Sequence, residues 1–454
     1  MKQFLFNIIP ICELFLLLCV INSIWGRTFG EESFYPEGYY DNQQTGYKMD
    51  LALSKLEHAP QWISDWPDTS TVKLGQVSAV ALDNAGRVLV FHRASNVWDA
   101  STFYDSNVYQ GIGQPPIPDP TILVYNDTGE LVEMWGQNLF YMPHGITVDA
   151  VGNVWTTDVA RHQVLKFNVT HRHEPELVLG EKFVPGEDNE HFCKPSAVAV
   201  LASGEFFVAD GYCNHRILKF APDGTVTLQW GRSHGDSPFA LNVPHALALA
   251  PDRGLVCVAD RERGRVACFR ADNGTFVSSY SSWLVGTRLF SVAYSPVHGG
   301  RFYIVNGPNG FVRVRGYVID FTSGRLVQTF APAGDLHNPH DIAVSPDGST
   351  VYVAELSPYK VHKFVDEALR NESLSEGNVT FHVKPTATVE ESANESVSAS
   401  EGGGGGGRGA WAWWGGALGG AGGAAGAALL ALAALALLRA RNTGKPHEAE
   451  PLVS

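Results

Sequence analysis

Positive charge is in short supply in this chain. Its 454 residues carry 33 lysines and arginines against 47 aspartates and glutamates, a net charge of −14. A nucleic-acid surface needs a basic face, so that class of partner is excluded, and the acidity itself mostly serves solubility. Cysteine is scarce as well, with six in all. Cys12 and Cys19 fall in an N-terminal apolar stretch, which leaves Cys193, Cys213, Cys257 and Cys268, an even number suited to an oxidising compartment. Charge of either sign is missing from residues 409–438, and strand-like periodicity is missing from 27–74 and from 366–401. With 44% hydrophobic residues, what lies between is enough for one large all-β domain.

The ends read as secretory and membrane signals. Residues 1–26 place Lys2 ahead of an apolar run that includes Leu14, Leu16, Val20 and Ile21, the pattern of a signal peptide. Six glycosylation sequons, at Asn126, Asn168, Asn273, Asn371, Asn378 and Asn394, agree with that route. Residues 366–408 are rich in Ser, Thr, Glu and Asn and end in a glycine run, which reads as a disordered, glycosylated stalk with a hinge. The uncharged stretch 409–438 exceeds the roughly 20 apolar residues needed to cross a bilayer. Arg439, Arg441 and Lys445 follow it and place 439–454 in the cytoplasm, as a single-pass type I protein of secretory vesicles or the cell surface. A glycosylphosphatidylinositol signal normally ends in its apolar run, and this chain continues into a polar tail.

Between these ends one short phrase recurs. It stands as Met142-Pro143-His144-Gly145-Ile146, Val243-Pro244-His245-Ala246-Leu247 and Asn338-Pro339-His340-Asp341-Ile342, with Lys194-Pro195-Ser196-Ala197-Val198 as a fourth copy in which Ser replaces His. Each copy opens an apolar strand, a Gly or Asp turn, and a second apolar strand ending near an Asp or Glu. The interval of about 50 residues, with one double gap, is that of a β-propeller blade. Adding the unit at 76–90 and a degenerate one around Phe290 gives six blades over residues 75–365, with 27–74 as an entry segment packed on the ring.

A single Pro-His pair is usually a packing feature. Here the three histidines hold the same position in blades two, four and six, which alternate around the ring. Equivalent innermost positions on alternate blades aim at the axis from three sides. That matches a three-histidine zinc site with its fourth position open, the catalytic form.

The chain also resembles the peptidyl-α-hydroxyglycine α-amidating lyases over about residues 61–364. The resemblance is carried by Leu74-Gly75-Gln76-Val77, Phe91-His92-Arg93, Asp210-Gly211-Tyr212-Cys213-Asn214, Cys257-Val258-Ala259-Asp260-Arg261-Glu262 and the three Pro-His phrases. It implies catalytic zinc on His144, His245 and His340, and structural calcium on the Val80 and Ile146 carbonyls and the Asp341 carboxylate. It further implies a catalytic Tyr212 served by Arg93 and Arg261, and disulfides Cys193–Cys213 and Cys257–Cys268. Nearby arginines are expected to favour the Tyr212 phenolate. Asn338 departs from the Met usual in that family, and Ala94 and Asn96 alter the stretch after Arg93. The implied reaction cleaves the N–Cα bond of α-hydroxyglycine-extended peptides to peptide amide and glyoxylate. In bifunctional relatives a copper monooxygenase precedes the lyase. The roughly 45 residues before the first blade cannot hold one, so a separate copper monooxygenase is expected to supply the substrate. Two other readings of a six-bladed ring are a calcium-dependent lactonase or esterase, which would use carboxylates and Asn at the axis, and a non-enzymatic NHL-type binding or adhesion module, which needs no axial metal.

Overall fold

The second strand of each repeat is a near-continuous apolar run, and these runs form the most protected part of the structure. Phe206–Asp210, Val154–Asp158 and Leu255–Asp260 are buried along their whole length. A strand covered on both faces needs no polar alternation. The computed structural model describes residues 42–232, 237–310 and 312–375. The signal peptide, the stalk beyond 375, the membrane span 409–438, the tail and the sequons at Asn378 and Asn394 lie outside the described residues. No helix among the described residues is long and apolar enough to cross a membrane.

Six antiparallel four-stranded sheets make up a six-bladed β-propeller. Blade one is β2 (Val77–Leu82), β3 (Val88–His92), β4 (Ile122–Tyr125) and β5 (Leu131–Trp135). Blade two is β6 (Pro143–Val148), β7 (Val154–Asp158), β8 (Gln163–Phe167) and β9 (Leu177–Leu179). Blade three is β10 (Ala197–Val200), β11 (Phe206–Asp210), β12 (Arg216–Phe220) and β13 (Val226–Trp230). Blade four is β14 (Pro244–Ala250), β15 (Leu255–Asp260), β16 (Arg265–Arg270) and β17 (Phe276–Ser281). Blade five is β18 (Leu289–Ser295), β19 (Arg301–Asn306), β20 (Gly316–Asp320) and β21 (Leu326–Phe330).

Blade six takes β22 (Asn338–Val344), β23 (Thr350–Ser357) and β24 (Lys360–Val365) from the C-terminal side, and its outer strand β1 (Gln61–Ile63) from the N-terminal side. The stretch expected to be a mere entry segment therefore contains the strand that closes the ring. Ahead of it, helix α1 (Asn42–Leu53) inserts Met49 and Leu53 into the core between blades four and five. Helix α2 (Glu367–Ser375) follows the last blade and carries Asn371 on an exposed turn.

Each neighbouring pair of blades shares its own apolar core. Trp155, Phe206, Val208 and Phe220 fill the seam between blades two and three, and Phe290, Val305, Ile342 and Val353 fill that between five and six. The acids that end the second strands have a structural task. Asp158 accepts the backbone N–H groups of Tyr141 and Met142, Asp260 that of Asn242, and Glu355 those of His337 and Asn338. Each carboxylate thus ties down the loop that delivers its own blade's innermost strand to the axis.

Candidate active site

Five of the six innermost strands begin with a β-bulge, and the bulge is what aims the histidines. Pairing skips a residue between Pro244 and Ala246, between Pro339 and Asp341, and across His144 and Gly145. An extra unpaired residue kinks the strand and turns its side chain out of the normal alternation. Blades one and five skip in the same way at Ser78 and Phe290.

Each bulge histidine then reaches a backbone carbonyl of the next blade. His144 Nδ1 lies 2.8 Å from the Ser196 carbonyl, His245 Nδ1 2.7 Å from the Phe290 carbonyl, and His340 Nδ1 2.6 Å from the Ser78 carbonyl. A carbonyl only accepts, so each Nδ1 carries the proton and each Nε2 presents a lone pair. All three imidazoles are 2% exposed, their centroids are 4.6–4.9 Å apart, and one nitrogen from each falls within 4.8 Å of the others. Burial, followed by the neighbouring imidazoles, holds His144 and His245 well below the usual histidine range. His340 is pulled down to about 3 by burial and then by Arg93. These are neutral ligands with fixed tautomers.

Tyr212 follows β11 and reaches over the cluster. Its hydroxyl is 2.8 Å from His144 Nε2 and 3.0 Å from His245 Nε2. One O–H proton cannot serve two lone pairs, so the donor set has more acceptors than donors, and a cation among the three Nε2 atoms resolves the mismatch. The second requirement of a metal site, that the far ring nitrogen donate to a fixed acceptor, is already met by the three carbonyls. The residues fit a divalent metal.

Two guanidiniums flank Tyr212. Arg261 lies 5.3 Å from the Tyr212 ring and 5.2 Å from that of Phe290, with Nε 2.8 Å from Glu262 Oε1. Arg93 is fully buried. Its Nε donates to the Pro143 carbonyl at 2.9 Å, its Nη1 to Gln76 Oε1 at 2.7 Å, and its Nη2 is buried with no hydrogen-bond partner. Burial lowers Arg93 to about 10, which still leaves it charged near neutrality. Both arginines favour the Tyr212 phenolate, but burial outweighs them and the phenol is raised above its ordinary value. The expected phenolate thus needs more positive charge than the two arginines supply.

Asp341, Val80 and Ile146 line one axial cavity of about 270 Å³ with the three histidines. Asp341 accepts Ser291 Oγ at 2.7 Å and the Val80 N–H at 3.0 Å. Burial pushes its carboxyl up to about 6, opposed by hydrogen bonds from Ser291, Val80 and Ile342. A carboxylate countered by hydrogen bonds alone fits a hard cation with oxygen ligands. Cys193–Cys213 and Cys257–Cys268 are both bonded, the first beside Tyr212 and the second across β15 and β16.

The structure brings together His144, His245, His340, Tyr212, Arg93 and Arg261, and it adds residues to which the sequence assigned no role. Gln76 Oε1 holds both Arg93 and the backbone N–H of Trp98, the latter at 2.9 Å. The Trp98 ring packs 4.9 Å from that of Tyr212. Gln76 showed in the sequence only as a member of Leu74-Gly75-Gln76-Val77, with no task attached, and the three backbone carbonyls showed only through the repeated Pro-His phrases that meet them.

The NHL repeat family model matches residues 140–167, 192–220 and 241–269. Peptidyl-alpha-hydroxyglycine alpha-amidating lyase 1 of Drosophila melanogaster is 47% identical over 347 residues, 72% of this chain and 63% of the fly protein. Lyase 2 of the same organism is 42% identical over 69% of this chain and 76% of its own length. Peptidyl-glycine alpha-amidating monooxygenase A of Xenopus laevis is 42% identical over 70% of this chain but only 34% of its own length. The chain therefore spans under two thirds of the first fly protein and about one third of the frog one. A solved streptogramin B lyase covers 65% of this chain and 85% of its own at 12% identity, and its TM-score of 0.41 is too low to bear on fold or function.

Proposed function

The chain belongs to the peptidyl-α-hydroxyglycine α-amidating lyase family, and from that premise we propose that it cleaves the N–Cα bond of peptidyl-α-hydroxyglycine, giving a C-terminally amidated peptide and glyoxylate. The observation that carries this reading is the Tyr212 hydroxyl seated on two of three converging Nε2 atoms. His144, His245 and His340 would hold the zinc, which when bound would supply Lewis acidity and the positive charge that Tyr212 lacks for ionisation.

The chain's own residues do the rest. Tyr212, as phenolate, takes the proton of the α-hydroxyl. The hydroxyl oxygen becomes the carbonyl of glyoxylate, the N–Cα electron pair leaves with nitrogen, and that nitrogen receives a proton to complete the amide. Arg93, with its unpartnered Nη2, and Arg261 bind the carboxylate that glyoxylate retains. Trp98 covers the outer face of Tyr212 and excludes water there. Val80, Ile146 and Asp341 would hold structural calcium. We further place the protein in the secretory pathway, tethered through 409–438 and glycosylated at its sequons, taking substrate from a copper monooxygenase. The test is glyoxylate release from a synthetic α-hydroxyglycine peptide. Unchanged substrate after incubation with zinc-loaded protein would overturn the reading.

A further inference from the structure

The four phrases that lead into the axis differ in their first residue, which is Met142 in blade two, Lys194 in three, Val243 in four and Asn338 in six. Met142 and Val243 are buried apolar side chains. Lys194 and Val243 share a left-handed φ of 57°. Each gives its N–H to a histidine that ends a connection of the blade before, Lys194 to His162 Nδ1 at 3.0 Å and Val243 to His215 Nδ1 at 3.2 Å. The backbone is the same device in both, so the fold itself does not call for an ammonium here. Burial alone lowers Lys194 to about 8, which leaves it charged near neutrality. A cation partly withdrawn from water needs a counterpart.

The counterpart is the loop 93–121, which joins the second and third strands of blade one. The same connection is only 159–162 in blade two and 211–215, the one with Tyr212, in blade three. A loop as long as 93–121 in a compact domain usually carries function. It is built as a strap: Phe103 and Tyr109 pair as an isolated antiparallel bridge, with Tyr104 N bonded to Val108 O at 2.9 Å and Gln110 N to Thr102 O at 3.0 Å. In its turn Asn107, at a left-handed φ of 66°, accepts from Lys194 Nζ at 2.8 Å. The same Nζ sits 4.2 Å from the centre of the Phe103 ring.

Phe103 carries this contact inward. Its ring lies 5.4 Å from that of Trp98, which lies 4.9 Å from Tyr212 and 6.1 Å from His144. Trp98, Phe103 and Tyr212 all pack on one apolar cluster of Tyr109, Tyr141, Met142, Val159 and Ala160. Cys193, next to Lys194, is bonded to Cys213, next to Tyr212. One short stretch of chain thus fastens both the loop that carries Tyr212 and the strap that packs over it.

Resting on the lyase reading above, we infer that Lys194 is a positioning residue for Tyr212, its ammonium latching the strap 93–121 and so holding Trp98 against the reactive ring. It acts through Phe103 and Trp98 and touches no reacting atom. The substrate carboxylate is held elsewhere, by Arg93 and Arg261, so loss of the latch should fall on the chemical step rather than on binding.

Lys194→Met is the test, since Met142 fills the equivalent position of blade two. In zinc-loaded full-length protein, glyoxylate release from an α-hydroxyglycine peptide should lose about 10- to 100-fold in kcat, with KM and zinc content little changed. Lys194→Arg keeps a cation over Phe103 and a donor for Asn107, and should recover most of the loss. Hydrogen exchange over residues 102–110 should run about tenfold faster in Lys194→Met, the scale of one lost charge-assisted contact, with the buried strand 206–210 unchanged. Asn107→Gly keeps the left-handed turn, removes only the acceptor and should shift both readouts the same way. If Lys194→Met does not fold, Asn107→Gly decides. Full kcat in the folded variants, a loss that arginine does not recover, or unaltered strap exchange would overturn the latch while leaving the lyase reading intact. No glyoxylate from the unaltered chain would remove the lyase reading and the positioning role with it, while the exchange comparison would still report whether Lys194 fastens the strap.

Discussion

Tyr212 is where the residue-scale argument concentrates, because its single proton faces two imidazole lone pairs. Tyr212→Phe keeps the ring between Trp98 and Arg261 and removes only the ionisable group. It should fold, retain its metal and lose about 10²–10⁴ in kcat, read by glyoxylate release beside metal analysis. A variant with full kcat would exclude Tyr212 as the base. Gln76→Ala should behave differently. It strands Arg93 Nη1 and the Trp98 N–H together, each an orphaned donor costing about 1–3 kcal/mol, so chemical denaturation should show a loss of stability alongside impaired turnover. An unchanged midpoint would mean that solvent replaces Gln76. His144, His245, His340, Tyr212 and both arginines were legible in the sequence because repeat position and family motif marked them. Gln76 stood in a family motif as well, but its task was not legible, because an amide that serves other side chains carries no spacing rule.

Among the elements, the bulged innermost strands couple one blade to the next. Gly145 shows how closely: a Cβ there would stand 2.4 Å from the Ser196 carbonyl, the acceptor that fixes His144. Gly145→Ala should therefore leave a folded propeller that binds zinc about 10–100-fold more weakly, by competition with a chelating dye. Unaltered affinity would show that the carbonyl does not orient the ligand. The Cys193–Cys213 bond anchors the loop that carries Tyr212. With a sequence separation of 20 it contributes about 3 kcal/mol on the chain-entropy view. The second strands of the blades could be placed to within a residue or two from the sequence, since continuous apolar runs declare themselves. The outer strands could not, because β5, β13 and β17 alternate half-buried with exposed residues and owe their shape to a neighbour. The exposed three-residue β1 is weaker still, defined only by its distant partner β24.

For the whole molecule, closure is the decisive property. Removing residues through Ile63 takes away β1 together with α1 and opens the sixth blade, so thermal unfolding should move to lower temperature and lose cooperativity. An unchanged transition would show that three strands suffice there. Acid should act on the ring as a unit as well. His92 and His162 are lowered by burial to about 4 and His340 to about 3, with His144 and His245 also well below normal. The unfolded chain binds these protons near 6.5, so the neutral imidazoles contribute stability that is full above that value. It is lost as pH falls from about 6.5 to 4, at up to about 1.4 kcal/mol per pH unit for each. Asp210 and Asp341, pushed up to about 6, act in the opposite sense and return part of the loss. Chelator-stripped protein should therefore melt progressively lower across that window, and a flat profile would contradict the neutral-imidazole assignment. The most direct single measurement is glyoxylate release from an α-hydroxyglycine peptide by metal-stripped protein titrated with zinc. Activity should be absent at the start and rise to a plateau at about one zinc per chain. Full activity in the stripped protein, or none at any zinc level, would contradict a lyase built on His144, His245 and His340.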